Sequence, residues 1–349
     1  MNRDELLTLL SELITCHSPA GEEHEIDAVI RRHFESTGSH VWQDDASNLY
    51  AHLPGRGPKV MVCAHKDEIG MAVTEVREDG RLSVENCGGA RPWKYGEGPV
   101  DLIADHGSLL RGILSVGSVH TATGPVAELD RTRPLTWDLV TVFTGLSQAE
   151  LWDRGIHVGT RLVVARERKQ LQRLGDYIAS FALDDRMGLT AMIGALAELA
   201  RDPLEGSQAR PDLHFVATHG EEVGFLGAVR AAQLLRPDVC VALDTSPVAH
   251  GTPLVVDPRP VVWYREKAYH NKAECDTLLR LARALGFGAQ PCLYAASGSD
   301  AGQIKELGLA GRTVCFGFAR DNSHGFEIAH ADSLVNVTRL LVEYLNQLQ

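Results

Sequence analysis

The sequence predicts an α/β fold: a mostly parallel sheet sandwiched by helices, interrupted by a small inserted β-barrel. Three observations lead there. Apolar strand-like runs alternate with helical stripes before residue 70 and again after residue 175, as in a sheet covered on both faces. Between residues 70 and 175 glycine is frequent, β-branched runs are short and helical stripes are scarce, which is the texture of a small barrel or sandwich. Several apolar runs also end directly on His, Asp or Glu, and ligands of open parallel sheets sit outside the carboxyl ends of the strands. The chain therefore divides into a main domain, 1–69 with 176–349, and an inserted β-rich domain, 70–175.

Leu6, Leu7, Leu10 and Leu13 form a helical stripe. The Ser18-Pro19-Ala20-Gly21 break separates it from a second helix near Glu25 to Glu35, with Ile26, Val29, Ile30 and Phe34 inward. Strands follow around Leu49–Leu53 and Val60–Ala64. Within the insertion the strand-like runs include Gly112–Val116, Leu139–Phe143 and Arg161–Val164. Beyond it, Met187–Leu199 is helical, Leu213–Thr218 a strand, Phe225–Leu235 a helix and Val239–Leu243 a strand. Cys275–Leu285 and Asp300–Leu307 are helical, Thr313–Phe318 is a strand, and Ala331–Leu348 closes the chain as a helix. The sequence has no internal repeat and no low-complexity segment.

The composition narrows the function. The 349 residues are 44% hydrophobic and 23% charged, a globular balance. A net charge of −12 argues against nucleic acid or an anionic membrane as partner. No run of apolar residues is long enough to span a bilayer, and the acidic start, Met1-Asn2-Arg3-Asp4-Glu5, does not read as a signal peptide. The seven cysteines stand at 16, 63, 87, 240, 275, 292 and 315 with no CxxC pair. They read as reduced thiols of a cytoplasmic protein, with Cys63, Cys240 and Cys315 in the core.

The polar residues at the strand ends are His65, Asp67, Asp184, Glu221, Glu222, Asp244 and His324. Taken singly each has a plain explanation: a core histidine, a turn aspartate, a helix cap at Asp184, solvated loop glutamates. Together they supply the donors of a two-metal hydrolase. With Asp184 as a bridge, one ion takes His65, Asp184 and Asp244, and the other takes Asp184, Glu222 and His324. Each ion keeps an open position, the catalytic rather than the structural arrangement. Neighbouring side chains in an extended segment point apart, which leaves Glu221 to act as general base on the water. Asp67 is placed to orient His65. The donor set suits zinc, with cobalt or manganese as substitutes.

The order of these motifs resembles the glutamyl aminopeptidase and tetrahedral aminopeptidase family, whose members are co-catalytic metallo-aminopeptidases. The matching segments are Ala64-His65-Lys66-Asp67-Glu68-Ile69-Gly70, Ala182-Leu183-Asp184-Asp185-Arg186-Met187-Gly188 and Gly220-Glu221-Glu222-Val223-Gly224-Phe225. Leu243-Asp244-Thr245, Gly298-Ser299-Asp300-Ala301-Gly302 and Ser18-Pro19-Ala20-Gly21-Glu22 match as well, so the similarity spans nearly the whole chain. It implies a β-rich domain inserted after the first histidine, hydrolysis of N-terminal residues from short peptides, two divalent ions, and a large homo-oligomer with a dodecamer as the candidate size.

The chain departs from that family at two places. The last histidine stands in His324-Gly325-Phe326-Glu327, one residue shorter than the family's His-Ser-Pro stretch, with His330 as the fallback. Gly117-Ser118-Val119-His120-Thr121 replaces a proline-rich stretch and puts His120 near a candidate rim. These changes keep open a second reading, a metal-dependent amidohydrolase acting on acylated amino acids or modified dipeptides. A metal-stabilised assembly without chemistry is a third reading. A paired-carboxylate glycosidase is disfavoured, because adjacent glutamates do not readily flank a bond at separations of roughly 5–9 Å. Asp300 reads as a helix cap, and Arg265, Lys267 and Arg320 as solvent-facing charges that could also bind an acidic side chain.

Overall fold

The computed structural model describes residues 1–129, 133–201 and 210–348. The strands, in chain order, begin with β1 (His40–Gln43), β2 (Leu49–Leu53) and β3 (Lys59–His65). Six barrel strands follow: β4 (Gly70–Val76), β5 (Leu82–Cys87), β6 (Gly98–Ile103), β7 (Leu109–Ser115), β8 (Thr141–Phe143) and β9 (Arg161–Val164). The chain then returns through β10 (Gln172–Leu174), β11 (Tyr177–Ser180), β12 (Asp212–Thr218), β13 (Val239–Pro247), β14 (Pro260–Arg265), β15 (Gln290–Leu293), β16 (Arg312–Asp321) and β17 (Glu327–His330). The main sheet runs β1-β2-β12-β3-β13-β16-β17-β11-β10, with β14 and β15 paired off β16. Its centre is parallel, with β3 between β12 and β13 and β13 beside β16, and the outer strands join antiparallel. Strands β4 to β9 close into a barrel, so this part of the chain leaves no free sheet edge.

The central strands are apolar along their whole length because both faces are covered. One face packs the helices Arg3–Thr15, Leu183–Leu199, Lys272–Ala284 and Ala331–Gln347 through Leu10, Met187, Leu278 and Leu341. The other face packs Leu226–Leu235 and Asp300–Glu306 through Ala231, Leu235 and Ile304. The barrel has its own core around Val100, Leu102, Val142 and Leu162. The first helix starts where its sequence says it should. Asn2 accepts from the Glu5 N–H at 3.0 Å, and Glu5 accepts from the Asn2 N–H at 2.7 Å, a reciprocal cap. The Leu183–Leu199 helix is buried almost all round, which fits its long run of Ala, Leu, Ile and Met. All seven cysteines are free and buried. Among the described residues, no helix is long and apolar enough to cross a membrane.

Buried charge fastens the barrel to the sheet. The ammonium of Lys169, in the segment returning from β9, lies 2.8 Å from Glu68 Oε1 and donates to the Cys16 carbonyl at 2.9 Å. Glu68 also accepts the Ser18 N–H at 2.9 Å. The Arg186 guanidinium, 3.8 Å from Glu68, donates to the carbonyls of Lys66 and Leu13. Burial alone would raise the Glu68 carboxyl, but Lys169 and Arg186 outweigh it and hold the group below its usual range. On a second seam His17 meets Asp101 of β6 at 2.9 Å, and Arg111 of β7 donates to the same carboxylate at 2.7 Å.

Replacing Glu68 with Ala strands two buried cations. We expect it to destabilise the fold by about 3–5 kcal/mol, read as the shift in a denaturant midpoint; a change under about 1 kcal/mol would show that the network is not under this constraint. Burial pushes the Asp101 carboxyl up, but the hydrogen bonds from His17 and Arg111 prevail and hold it well below the usual carboxylate range. A depressed carboxyl stabilises the folded state fully above its unfolded value of roughly 4, and that stability is lost as pH falls through the folded value. Thermal melts from pH 6 down to pH 2 should therefore decline less steeply in Asp101→Asn than in the wild-type protein. Parallel declines would remove Asp101 from the acid response.

Candidate active site

Three adjacent parallel strands deliver the site. His65 is the last residue of β3 and pairs in register with Thr218, the last residue of β12. Glu221 and Glu222 follow in the next turn. On the other side of β3, Asp244 stands near the end of β13, opposite Gly317 of β16. A Cβ on Gly317 would lie 1.7 Å from the Asp244 carbonyl oxygen, so this close approach requires glycine. Asp184 enters from the foot of the Leu183–Leu199 helix. That segment is not a simple cap: Asp184 has non-helical backbone angles, and Asp185 instead accepts the Gly188 N–H at 3.0 Å. The peptide between the two aspartates is cis. Leaving aside roles, the residues singled out in the sequence converge: His65, Asp184, Glu221, Glu222, Asp244 and His324 all line one cavity of about 330 Å³.

The donors fall into two overlapping sets. His65, Asp184 and Asp244 place ligand atoms within 4.8 Å of one another, and so do Asp184, Glu222 and His324. Asp184 belongs to both. The His65 Nδ1 donates to the Asp67 carbonyl at 3.1 Å, and the His324 Nδ1 donates to the Gly89 carbonyl at 3.2 Å. With these protons placed, the Nε2 lone pair of each ring faces the Asp184 carboxylate, at 3.2 Å for His65 and 3.6 Å for His324. A lone pair aimed at a carboxylate repels it unless a cation or a proton lies between them.

The carboxyls carry the same imbalance. Burial pushes Glu221 and Asp244 well above the usual range and Glu222 up to about 7; nearby histidines work against it and neighbouring carboxylates add to it. Asp184 is the exception. Burial raises it, but Arg320 first and then the two histidines more than reverse this. His324 is lowered by burial, but Asp184 and Glu222 bring it up to about 9. Imidazole and carboxylate donors with excess negative charge, converging within a few ångströms, fit divalent cations.

Asp67 plays a different part from its neighbours. It is fully buried and does not line the cavity. Its two carboxylate oxygens accept the N–H groups of Glu221 and Glu222, at 3.0 and 3.1 Å, while its carbonyl holds His65. It is a positioning residue for three members of the site.

Several expectations change. Arg320 is not a solvent-facing charge: it is 2% exposed, lies 2.7 Å from Asp184 Oδ2 and also pairs with Glu327. Arg265 and Lys267 lie outside the cavity lining, with Arg265 turned to the Tyr294 carbonyl and Lys267 over the Phe225 ring. Asp300 does not cap its helix. Ser299 does, accepting the Gly302 N–H, while buried Asp300 accepts the Thr218 hydroxyl at 2.6 Å. His330 caps the last helix instead of entering the cavity, and His120 is exposed away from it. Glu327, which the sequence marks only as the end of the His324 stretch, has a structural role there. It accepts the N–H groups of Asp184 and His324, so it shapes both sets from beneath. The Arg320-to-Glu327 stretch carries the signal, two opposite charges flanking the last histidine.

A Cβ on Gly89 would lie 2.5 Å from the His324 ring, so Gly89→Ala should swing that imidazole out of its set. We expect the affinity for a divalent ion at the Asp184, Glu222 and His324 set to fall by about 10–100-fold, measured with zinc by chelator competition, with little change in melting temperature. Unchanged affinities would remove His324 from the ligands.

The M42 glutamyl aminopeptidase family profile matches residues 47–340. Lysyl aminopeptidase of Pyrococcus furiosus is 29% identical over 241 residues, covering 68% of this chain and 66% of that protein. FrvX of Escherichia coli strain K12 is 27% identical, and the matched stretch spans 64% of its length and 69% of this chain. The chain thus spans just under two thirds of the length of such curated relatives. In structure it is similar to a TET aminopeptidase of a marine-sediment thaumarchaeon, with a TM-score of 0.89 at 21% identity over 100% of this chain and 98% of that one. It is also similar to the TET1 peptidase of Pyrococcus horikoshii, described as assembling into a tetrahedron or a large octahedral shell, with a TM-score of 0.82 at 23% identity over 98% of both chains. These two likenesses, below 25% identity, concern the fold. The family match covers most of the chain and includes every residue of the site just described, and on that ground the chain belongs to the M42 glutamyl aminopeptidase family of peptidases.

Proposed function

We propose that this chain is a dinuclear metal-dependent aminopeptidase that removes N-terminal residues from short peptides. The observation that carries the reading is the pair of donor sets sharing Asp184 within one cavity. His65, Asp184 and Asp244 would hold one divalent ion, and Asp184, Glu222 and His324 the other, with zinc favoured and cobalt or manganese able to replace it. Ions bound there would polarise the scissile carbonyl and make water acidic enough to react.

The remaining steps belong to the protein. Asp67, through its hold on both glutamate N–H groups, keeps the Glu221 carboxylate fixed beside the site. Glu221 takes the proton of the attacking water and returns it to the leaving amine. Burial raises the Glu221 carboxyl above the usual carboxylate range, the direction that strengthens a carboxylate as a base. Phe225 and Trp263 add apolar surface to the cavity lining. A cavity of about 330 Å³ takes a residue or two of an extended chain, not a folded protein. The barrel closes on itself without a free sheet edge, and we read the chain as a subunit of a large homo-oligomer.

Glu221→Gln should lower kcat by about 10²–10⁴-fold while zinc content per chain stays as in the wild type. Retained turnover would sink the base assignment. The substrate side of the reading is tested with aminoacyl chromogenic amides beside N-acyl amino acids. Hydrolysis of free-amine substrates alone is expected, and a preference for the acylated series would move the chain to deacylase chemistry.

A further inference from the structure

A second cluster of metal-ligating side chains lies at the other end of the parallel strands. His52 of β2 and His214 of β12 are partners in register, and their rings stack 4.3 Å apart and nearly parallel. Asp212, the first residue of β12, reaches between them. Its Oδ1 lies 2.7 Å from the His52 Nε2, and its Oδ2 lies 3.2 Å from the His214 Nε2. One ligand atom from each of the three lies within 4.8 Å of the other two. None of the three lines the active-site cavity. His214 is four residues from the end of β12, which puts this cluster roughly 13 Å down the strand from the catalytic edge.

From this geometry we infer that His52, Asp212 and His214 form a further binding site for one divalent transition-metal ion. Two imidazoles and a carboxylate on one face are a donor set that such ions accept. The arrangement is prepared for it. His214 is 7% exposed, and its Nδ1 has no hydrogen-bond partner, so the proton that Nε2 shares with Asp212 can pass to Nδ1 and free the Nε2 lone pair for an ion. The His52 and Asp212 side chains keep 25% and 22% exposure, which gives an ion a way in and leaves room for water on its outer side. Trp42 of β1 packs edge-on to both rings, at 6.2 and 6.4 Å between centroids, and walls the site on its apolar side. An ion here would tie β2 to β12 close to the open edge of the sheet. It would stabilise that margin without touching the chemistry at the opposite end.

The test uses the whole protein. Chelator-stripped wild type and His52→Gln are reloaded with zinc, desalted, and their zinc per chain measured. We expect the wild type to retain one more zinc per chain than H52Q, with equal aminopeptidase activity. Zinc-loaded enzyme is then prepared with the exposed site cleared by brief mild chelation, and Cu2+ is added. Copper should quench Trp42 emission in the wild type and leave it unchanged in H52Q. Equal zinc contents, or the same quenching in both proteins, overturns the proposal. Should H52Q fail to fold, Asp212→Asn keeps the side-chain shape and the acceptor for the Gly55 N–H, and reads the same difference.

Discussion

The carboxylate of Asp184 is the point through which the rest of the site is arranged. Two imidazoles approach its oxygens, one from the end of β3 and one from the turn between β16 and β17, and a buried guanidinium takes one of those oxygens directly. A carboxylate so placed is worth far more ionised than protonated, which is why it escapes the upward push that burial gives Asp244, Glu221 and Glu222. The fold serves this arrangement. A parallel sheet sets the ends of β12, β3 and β13 side by side, so residues distant in the chain arrive as neighbours. Glu327 then fixes the backbone of Asp184 and His324 through their N–H groups.

Much of this was legible in the sequence. The β2 strand appears where its apolar residues indicate, at Leu49–Leu53, and the buried central strands read as continuous apolar runs because both faces are covered. The site residues were legible for a related reason. A polar residue that ends a wholly apolar strand stands out, as His65 and Asp244 do. What stayed hidden depends on partners far along the chain. Arg320 reads as a surface charge until Asp184 and Glu327 are seen around it. Asp300 reads as a cap because it precedes a helix, while the hydroxyl one residue earlier makes the capping bond. The strands β1, β15 and β17 have four residues each, and pairing rather than composition makes them strands.

The same logic separates the two histidine clusters. At the catalytic edge each ring is held by a backbone carbonyl at Nδ1, so both Nε2 atoms are aimed in advance. At the far end the rings are held by each other and by Asp212, with Trp42 behind them, and nothing grips Nδ1 of His214. The first cluster is rigid by construction, and the second is adaptable.

The Lys169–Glu68 pair has a mechanical consequence. Glu68 is the immediate neighbour of Asp67, whose carboxylate carries the backbone of both glutamates. A strut one peptide long therefore links the stem of the barrel to the catalytic floor. Any torque exerted on the barrel would reach Glu221 through that strut, so crowding around the barrel and the aim of the Glu221 carboxyl are geared together.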